Sequence, residues 1–348
     1  MHLKNLYVAV LAFSVLCTFA IVSPASAQDT AQQQSDASKA KKANANKKAS
    51  KGKKPPAPFK WVNKTGKSHE SLQHSTFRSK SLGANVGYYI LLPPEYSESP
   101  QMRFPTVYYL HGGRPGSEYK GIGIGKQIAK LQKAGKVSPV IYVFVNGGPV
   151  SHYNMPDDPK RQGADVFIKE LIPHIDSTYR TIANRAGRGL EGFSQGGRGT
   201  MRLSLRHSDL FCSAAAGGGG YETEKRISQD GGYENPKLKF AEGDNTWDLA
   251  RAYAKSDAPK VNWMIYVGTE GYNYKNNLEY MKFLDLLGIS YERLVVKGVP
   301  HSASKIYEKE ALRIIRFHSA NFTRTATLKN FDGNQSPGVS PKIIRDRR

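Results

Sequence analysis

Arg188-Gly189-Leu190-Glu191-Gly192-Phe193-Ser194-Gln195-Gly196-Gly197-Arg198-Gly199 is the stretch that decides the fold. It opens as a short β-type run, carries Gly-x-Ser-x-Gly across Gly192 to Gly196, and continues into an amphipathic segment beginning at Arg198. A serine on a sharp turn between strand and helix has a strained backbone and close neighbours. Such a turn needs small residues, and Gly192, Gly196, Gly197 and Gly199 supply them. In a chain with 33 glycines the bare pattern is weak. The strand before it and the helix after it make it informative, and they mark Ser194 as a nucleophile.

Outward from this turn, from Phe59 onward, short β-type runs alternate with longer helical stretches. That is the pattern of an α/β fold with a mostly parallel central sheet flanked by helices. Strands are expected at 87–92, 106–110, 140–145, 189–192, 211–216, 263–267 and 291–296, and helices at 122–134, 164–179, 197–207, 276–287 and 304–317. No internal repeat is present.

A serine that attacks a carbonyl needs donors for the oxygen that becomes negative. The turn Leu110-His111-Gly112-Gly113-Arg114 follows an apolar run upstream of the serine, and the backbone N–H groups of Gly113 and Gln195 are the expected pair. His111 is read as fixing this turn. The base is expected on a late loop, since hydrolases of this kind run serine, acid, histidine in chain order. His301 stands there, after the run Tyr291 to Val296 and the turn Gly298-Val299-Pro300. His174, His207 and His318 fall on helices and read as structural. For the acid, Glu270 is the only carboxylate in the turn Gly268-Thr269-Glu270-Gly271; Glu279 and Asp285 lie on the following helix and fit less well. Arg114, Tyr272 and Tyr274, which flank these turns, are candidate substrate contacts.

With these residues the chain resembles the esterase family of α/β-hydrolases that includes feruloyl and acetylxylan esterases, S-formylglutathione hydrolases and mycolyltransferase antigens. The likeness runs from about Ser75 to Phe317, through Tyr88 to Tyr96, His111-Gly112-Gly113, Leu171-Ile172-Pro173, Tyr179-Arg180-Thr181 and Gly192 to Phe211. It implies an α/β-hydrolase fold, Ser194 as nucleophile, His301 as base and the Gly113 and Gln195 amides as oxyanion donors. Members usually place Asp directly after the Gly-Thr-Glu-like turn, where this chain has Gly271. Either Glu270 takes that role or the triad is incomplete.

The ends differ from this core. Residues 1–27 read as a signal peptide, with Lys4, an apolar run and the small-residue site Ala25-Ser26-Ala27. Residues 28–58 form a Lys-rich low-complexity linker closed by Pro55-Pro56-Ala57-Pro58; residues 1–58 hold nine Lys against two Asp. The esterase domain is expected over 59–323, with a basic tail over 324–348. Of the two cysteines, Cys17 lies in the signal segment, so no intrachain disulfide is expected after cleavage, and Cys212 reads as a small core residue.

The expected function is an exported serine ester hydrolase, periplasmic or secreted, without metal or organic cofactor. Its substrate is expected to be a small ester or an acylated polysaccharide carrying acetyl or feruloyl groups. An acyltransferase with the same triad and a catalytically impaired surface-binding protein are the alternatives. The net charge of +22 favours contact between the linker and an anionic cell-surface polymer. No nucleic-acid recognition module accompanies that charge.

Overall fold

The computed structural model describes residues 58–63 and 71–331, with side chains as far as Thr323. The expected signal segment, the linker as far as Ala57 and the tail from residue 332 lie outside the described residues.

Among the described residues there are ten strands: β1 (Leu72–Ser79), β2 (Ala84–Leu91), β3 (Thr106–Leu110), β4 (Ile141–Val145), β5 (Arg188–Phe193), β6 (Ser213–Gly217), β7 (Tyr233–Asn235), β8 (Leu238–Lys239), β9 (Asn262–Glu270) and β10 (Tyr291–Pro300). Eight make one sheet in the order β1-β2-β4-β3-β5-β6-β9-β10, and β7 with β8 forms a separate hairpin. Within the large sheet only β2 runs against its neighbours.

Side chains alternate across the sheet, so each strand feeds two cores. In β4, Ile141, Val143 and Val145 join one apolar cluster, while Tyr142 and Phe144 join the other. In β9, Trp263, Ile265 and Val267 face the first and Met264 and Tyr266 the second. Burial on both faces explains why these strands read as nearly continuous apolar runs. Helices Gln195–Arg206, Tyr221–Gln229, Thr246–Ala254 and Tyr274–Leu286 cover the first face through Met201, Tyr221, Trp247 and Tyr280. Helices Ile122–Lys133 and Ala303–Phe331 cover the second through Ile128 and Ile314. Each large side chain so buried contributes about 1.5–3 kcal/mol.

The expected strands and helices are all present, and the additions have physical reasons. Edge strand β1 pairs only with β2 and exposes Gln73, Thr76 and Arg78, so its sequence carries little apolar signal. Helix Tyr221–Gln229 is polar in sequence because its buried Glu224 meets arginines from another helix. The last helix does not stop at Phe317: buried Ile315, His318 and Phe322 keep one face covered, and the helix continues to Phe331. Cys212 is buried, and its thiol donates to Ala186 O at 3.5 Å. Among the described residues, no helix is long and apolar enough to cross a membrane.

The sheet order positions the chemistry. Strands β3 and β5 are neighbours with Leu110 opposite Gly192, which sets the His111-Gly112-Gly113 turn beside the serine turn. On the other side Phe193 lies opposite Gly217, and β9 and β10 bring their carboxyl ends to the same edge. Ligands of open α/β sheets bind at that edge.

Candidate active site

Ser194 has φ 62° and ψ −113°, a conformation that L residues rarely adopt. The turn is held by its amide donating to Gly217 O at 2.8 Å. A Cβ on Gly196 would stand 1.9 Å from Leu110 O, and one on Gly197 would stand 2.1 Å from Gly217 O. The glycines are therefore forced by backbone contact, and Ser194 is left at the head of helix Gln195–Arg206.

His301 follows β10, and its Nε2 lies 2.9 Å from Ser194 Oγ. Nδ1 lies 3.1 Å from Asn273 Oδ1. The orientation of that amide is fixed, because Asn273 Nδ2 donates to Gly218 O at 2.6 Å and Gly219 O at 3.1 Å. Its oxygen therefore faces the imidazole, Nδ1 carries the proton and donates it, and Nε2 is bare to accept from Ser194. Burial lowers the pKa of His301 from its ordinary value, and among the described residues no carboxylate offsets this. Phe193 and Tyr272 flank the ring at centroid distances of 4.8 and 4.4 Å.

Glu270, the expected acid, is not the histidine's partner. It ends β9 opposite Pro300 with its side chain exposed, and its Oε1 lies 3.8 Å from where a Cβ on Gly298 would stand. The chain turns inward only after Gly271, so Asn273, 3 % exposed, reaches the ring. Its side chain carries no charge, so a pattern of carboxylates does not include it. The available signal was an amide of aspartate's shape at the start of a helix after the right strand.

The oxyanion turn is tightly fixed. Gly113 has φ 71°, and Ser151 Oγ donates to its carbonyl at 2.7 Å. A Cβ on Gly112 would lie 3.3 Å from Ser194 Cβ, so the turn lies against the nucleophile. Among the described residues no hydrogen bond takes the N–H of Gly113 or of Gln195. His111 holds the loop from behind: Nε2 accepts from the amides of Ser117 and Gly147, and Nδ1 donates to Gly112 O. Burial, helped by the Lys120 charge, pushes its pKa down to about 3, so it stays neutral and structural.

Arg114, an expected substrate contact, borders neither space beside the serine, and its guanidinium donates to Glu234 in two bonds of 2.6 and 2.7 Å. Glu234 also accepts from Arg198 Nη2 at 2.9 Å, and Arg198 grips Gln195 Oε1 through Nε at 3.1 Å and Nη2 at 2.7 Å. Sequence reading missed Glu234 and Arg198, since they join only through the β7–β8 hairpin. Tyr274 is half-buried against the core and borders neither space beside the serine.

Two spaces open beside Ser194. The larger, about 410 Å³, is bordered by Tyr109, Gly113, Lys120, Ile124, Phe193 and His301. The smaller, about 160 Å³, is bordered by Gln195, Arg198, Glu222, Tyr272, Asn273 and Asn276. Tyr272 is 81 % exposed, as befits a surface contact. Among the described residues no group of three or more His, Cys, Asp or Glu is arranged to hold a metal ion.

A parallel-centred sheet between two helical layers, with a serine elbow and a late-loop histidine, defines an α/β-hydrolase. The chain belongs to the Esterase family, whose model matches residues 79–303. Esterase Rv1288 of Mycobacterium tuberculosis is 26% identical over 68% of this chain and 54% of its own length. The endo-1,4-beta-xylanase/feruloyl esterase of Xylanibacter ruminicola is 30% identical over 41% of this chain and 21% of its own. The chain thus spans about half the length of the Mycobacterium relative. Among solved structures, a ferulic acid esterase superposes with a TM-score of 0.59 at 21% identity, covering 72% of this chain and 98% of that one. The S-formylglutathione hydrolase of Staphylococcus aureus gives 0.56 at 16%, covering 72% and 99%. These superpositions share the fold expected from the sequence.

Proposed function

We propose that the protein hydrolyses carboxylic esters through an acyl-enzyme on Ser194. The observation that carries this is the 2.9 Å contact from Ser194 Oγ to His301 Nε2, with Nδ1 held by Asn273. Ser194 Oγ attacks the carbonyl carbon as its proton passes to Nε2, and the carbonyl oxygen becomes an anion facing the Gly113 and Gln195 amides. The tetrahedral carbon then expels the alcohol oxygen, which takes the proton from Nε2. Water, deprotonated by Nε2, attacks the acyl-enzyme and releases the acid, and the proton returns to Ser194.

The alcohol must leave within reach of Nε2, and His301 borders only the larger of the two spaces. The alcohol part is therefore assigned there and the acyl part beside Gln195 and Tyr272. An acetyl or feruloyl ester of a carbohydrate is the favoured substrate, supported by the names of the similar feruloyl and ferulic acid esterases. Export rests on the small-residue site Ala25-Ser26-Ala27.

Fluorophosphonate labelling of the native protein and of Ser194→Ala tests the reaction; equal labelling of both defeats it. Product analysis with a competing alcohol separates hydrolysis from acyl transfer, and aryl, acetyl, feruloyl and long-chain esters rank the acyl group.

A further inference from the structure

Outward from the larger space beside Ser194, a second space lies along the two helices that wall the first. The outer wall of the first is made by Gly123 and Ile124 of helix Ile122–Lys133 and by Ala303 and Ser304 of the last helix. One and two turns further along, the same helices supply Gln127 and Leu131, and Tyr307, Ala311 and Leu312, to the second space, of about 490 Å³. These spacings of three, four and seven residues keep one face of each helix along the seam. The result is a crease that leads from His301 away over roughly 10 Å of helix. Gln127 Nε2, bordering the second space, donates at 3.2 Å to Ser304 Oγ, bordering the first, so the two helices are tied at the seam between the spaces.

The crease has an apolar floor and a cationic rim. Tyr307 and Ala311 are buried, and Leu131 and Leu312 are half-buried. Above them stand Lys130, Lys136 and Lys309 with one carboxylate, Glu308. Lysines in ion pairs among the described residues are Lys169 and Lys225, so the three rim lysines have no acidic partner there. Among the described residues Lys120, at the inner end, likewise donates to a carbonyl, Pro115 O at 2.6 Å, and to no carboxylate. Cations without acidic partners along a helix seam that leads away from the reacting alcohol attract an anionic chain.

We infer that the crease is the subsite for an acidic polysaccharide, a uronate chain whose ester group reaches Ser194. This rests on the esterase reading and narrows its substrate. The carboxylates lie against Lys130, Lys136 and Lys309, and the C–H faces of the sugar rings cover the apolar floor.

The probes are polygalacturonate, its acetylated form and acetylated xylan, a neutral chain. In affinity gels, Ser194→Ala is retarded by polygalacturonate and not by xylan, and the charge-reversed Ser194→Ala/Lys130→Glu/Lys309→Glu loses about tenfold in affinity. Ser194→Ala/Lys80→Glu/Lys255→Glu carries the same net charge, changed at exposed sites away from the crease, and keeps its retardation. With the active protein, kcat/KM on acetylated polygalacturonate exceeds that on acetylated xylan by about tenfold at low salt and falls to parity at 0.5 M NaCl, through screening. Equal retardation by both polymers, or equal loss in both charge-reversed variants, overturns the subsite. Absence of p-nitrophenyl acetate hydrolysis by the active protein defeats the esterase reading instead, and the binding gels still decide the crease.

Discussion

His301 Nδ1 donates to Asn273 Oδ1 at 3.1 Å, so the base of this site is oriented by a neutral amide in place of a carboxylate. A carboxylate would both orient the imidazole and favour its charged form. Asn273 supplies the orientation alone, and burial lowers the ring's pKa below its ordinary value. The working form of His301 is the neutral one, which dominates above the pKa. The acid limb of kcat/KM is therefore expected below pH 6.5, the ordinary value. A limb above that value contradicts this reading of the site.

Asn273→Ala removes both the acceptor for Nδ1 and the donors to Gly218 and Gly219. Turnover is expected to fall about 10- to 100-fold, as tautomer and ring orientation are released. Asn273→Asp acts differently. Its charge raises the pKa of His301, so the acid limb moves to higher pH, while its oxygens face two carbonyls and lower stability by about 1–3 kcal/mol. Rate profiles and urea titrations of the two variants measure both effects.

Ser194 is held at φ 62°, where a side chain is strained. Ser194→Gly relieves that strain and is expected to gain about 1 kcal/mol, or roughly 2–4 °C in Tm, while all fluorophosphonate labelling is lost. Ser194→Ala keeps its Cβ and gains nothing comparable. Calorimetry of the pair shows whether the elbow stores strain for function; equal midpoints mean that it does not.

The sheet was legible because strands buried on both faces announce themselves as apolar runs, as in Ile141 to Val145. Ser194 was legible because glycine is the only residue its close backbone neighbours accept. The partner of His301 was not, because pattern reading assigns the acid by charge, and only tertiary geometry shows that Glu270 faces outward while Asn273 faces in. The partner of Arg114 was hidden for a related reason. A cation beside an oxyanion turn looks free in sequence, and its partner Glu234 arrives from a hairpin too short to carry a periodic signal.

Glu234 is where the two halves of the oxyanion site meet, and its removal is expected to disturb both. Burial raises its pKa, but bonds and charge from Arg114 and Arg198 more than offset this and pull it down to about 2, from 4.5. A depressed carboxylate contributes stability that is present in full above the unfolded value and is lost as pH falls through the folded one. With a side chain only 12% exposed, that contribution is about 3 kcal/mol. Glu234→Gln is accordingly expected to be about 3 kcal/mol less stable at pH 7, with the two proteins converging between about pH 4.5 and pH 2. It also loosens the grip of Arg198 on Gln195 and the anchor of Arg114 beside Gly113, whose amides act on the transition state more than on bound ester. Turnover is expected to fall about 3- to 10-fold with KM changed less than about twofold. Urea unfolding across that pH range, together with steady-state kinetics on p-nitrophenyl acetate, separates the two effects. A rise in KM at unchanged turnover would assign Glu234 to substrate binding and remove it from the oxyanion support.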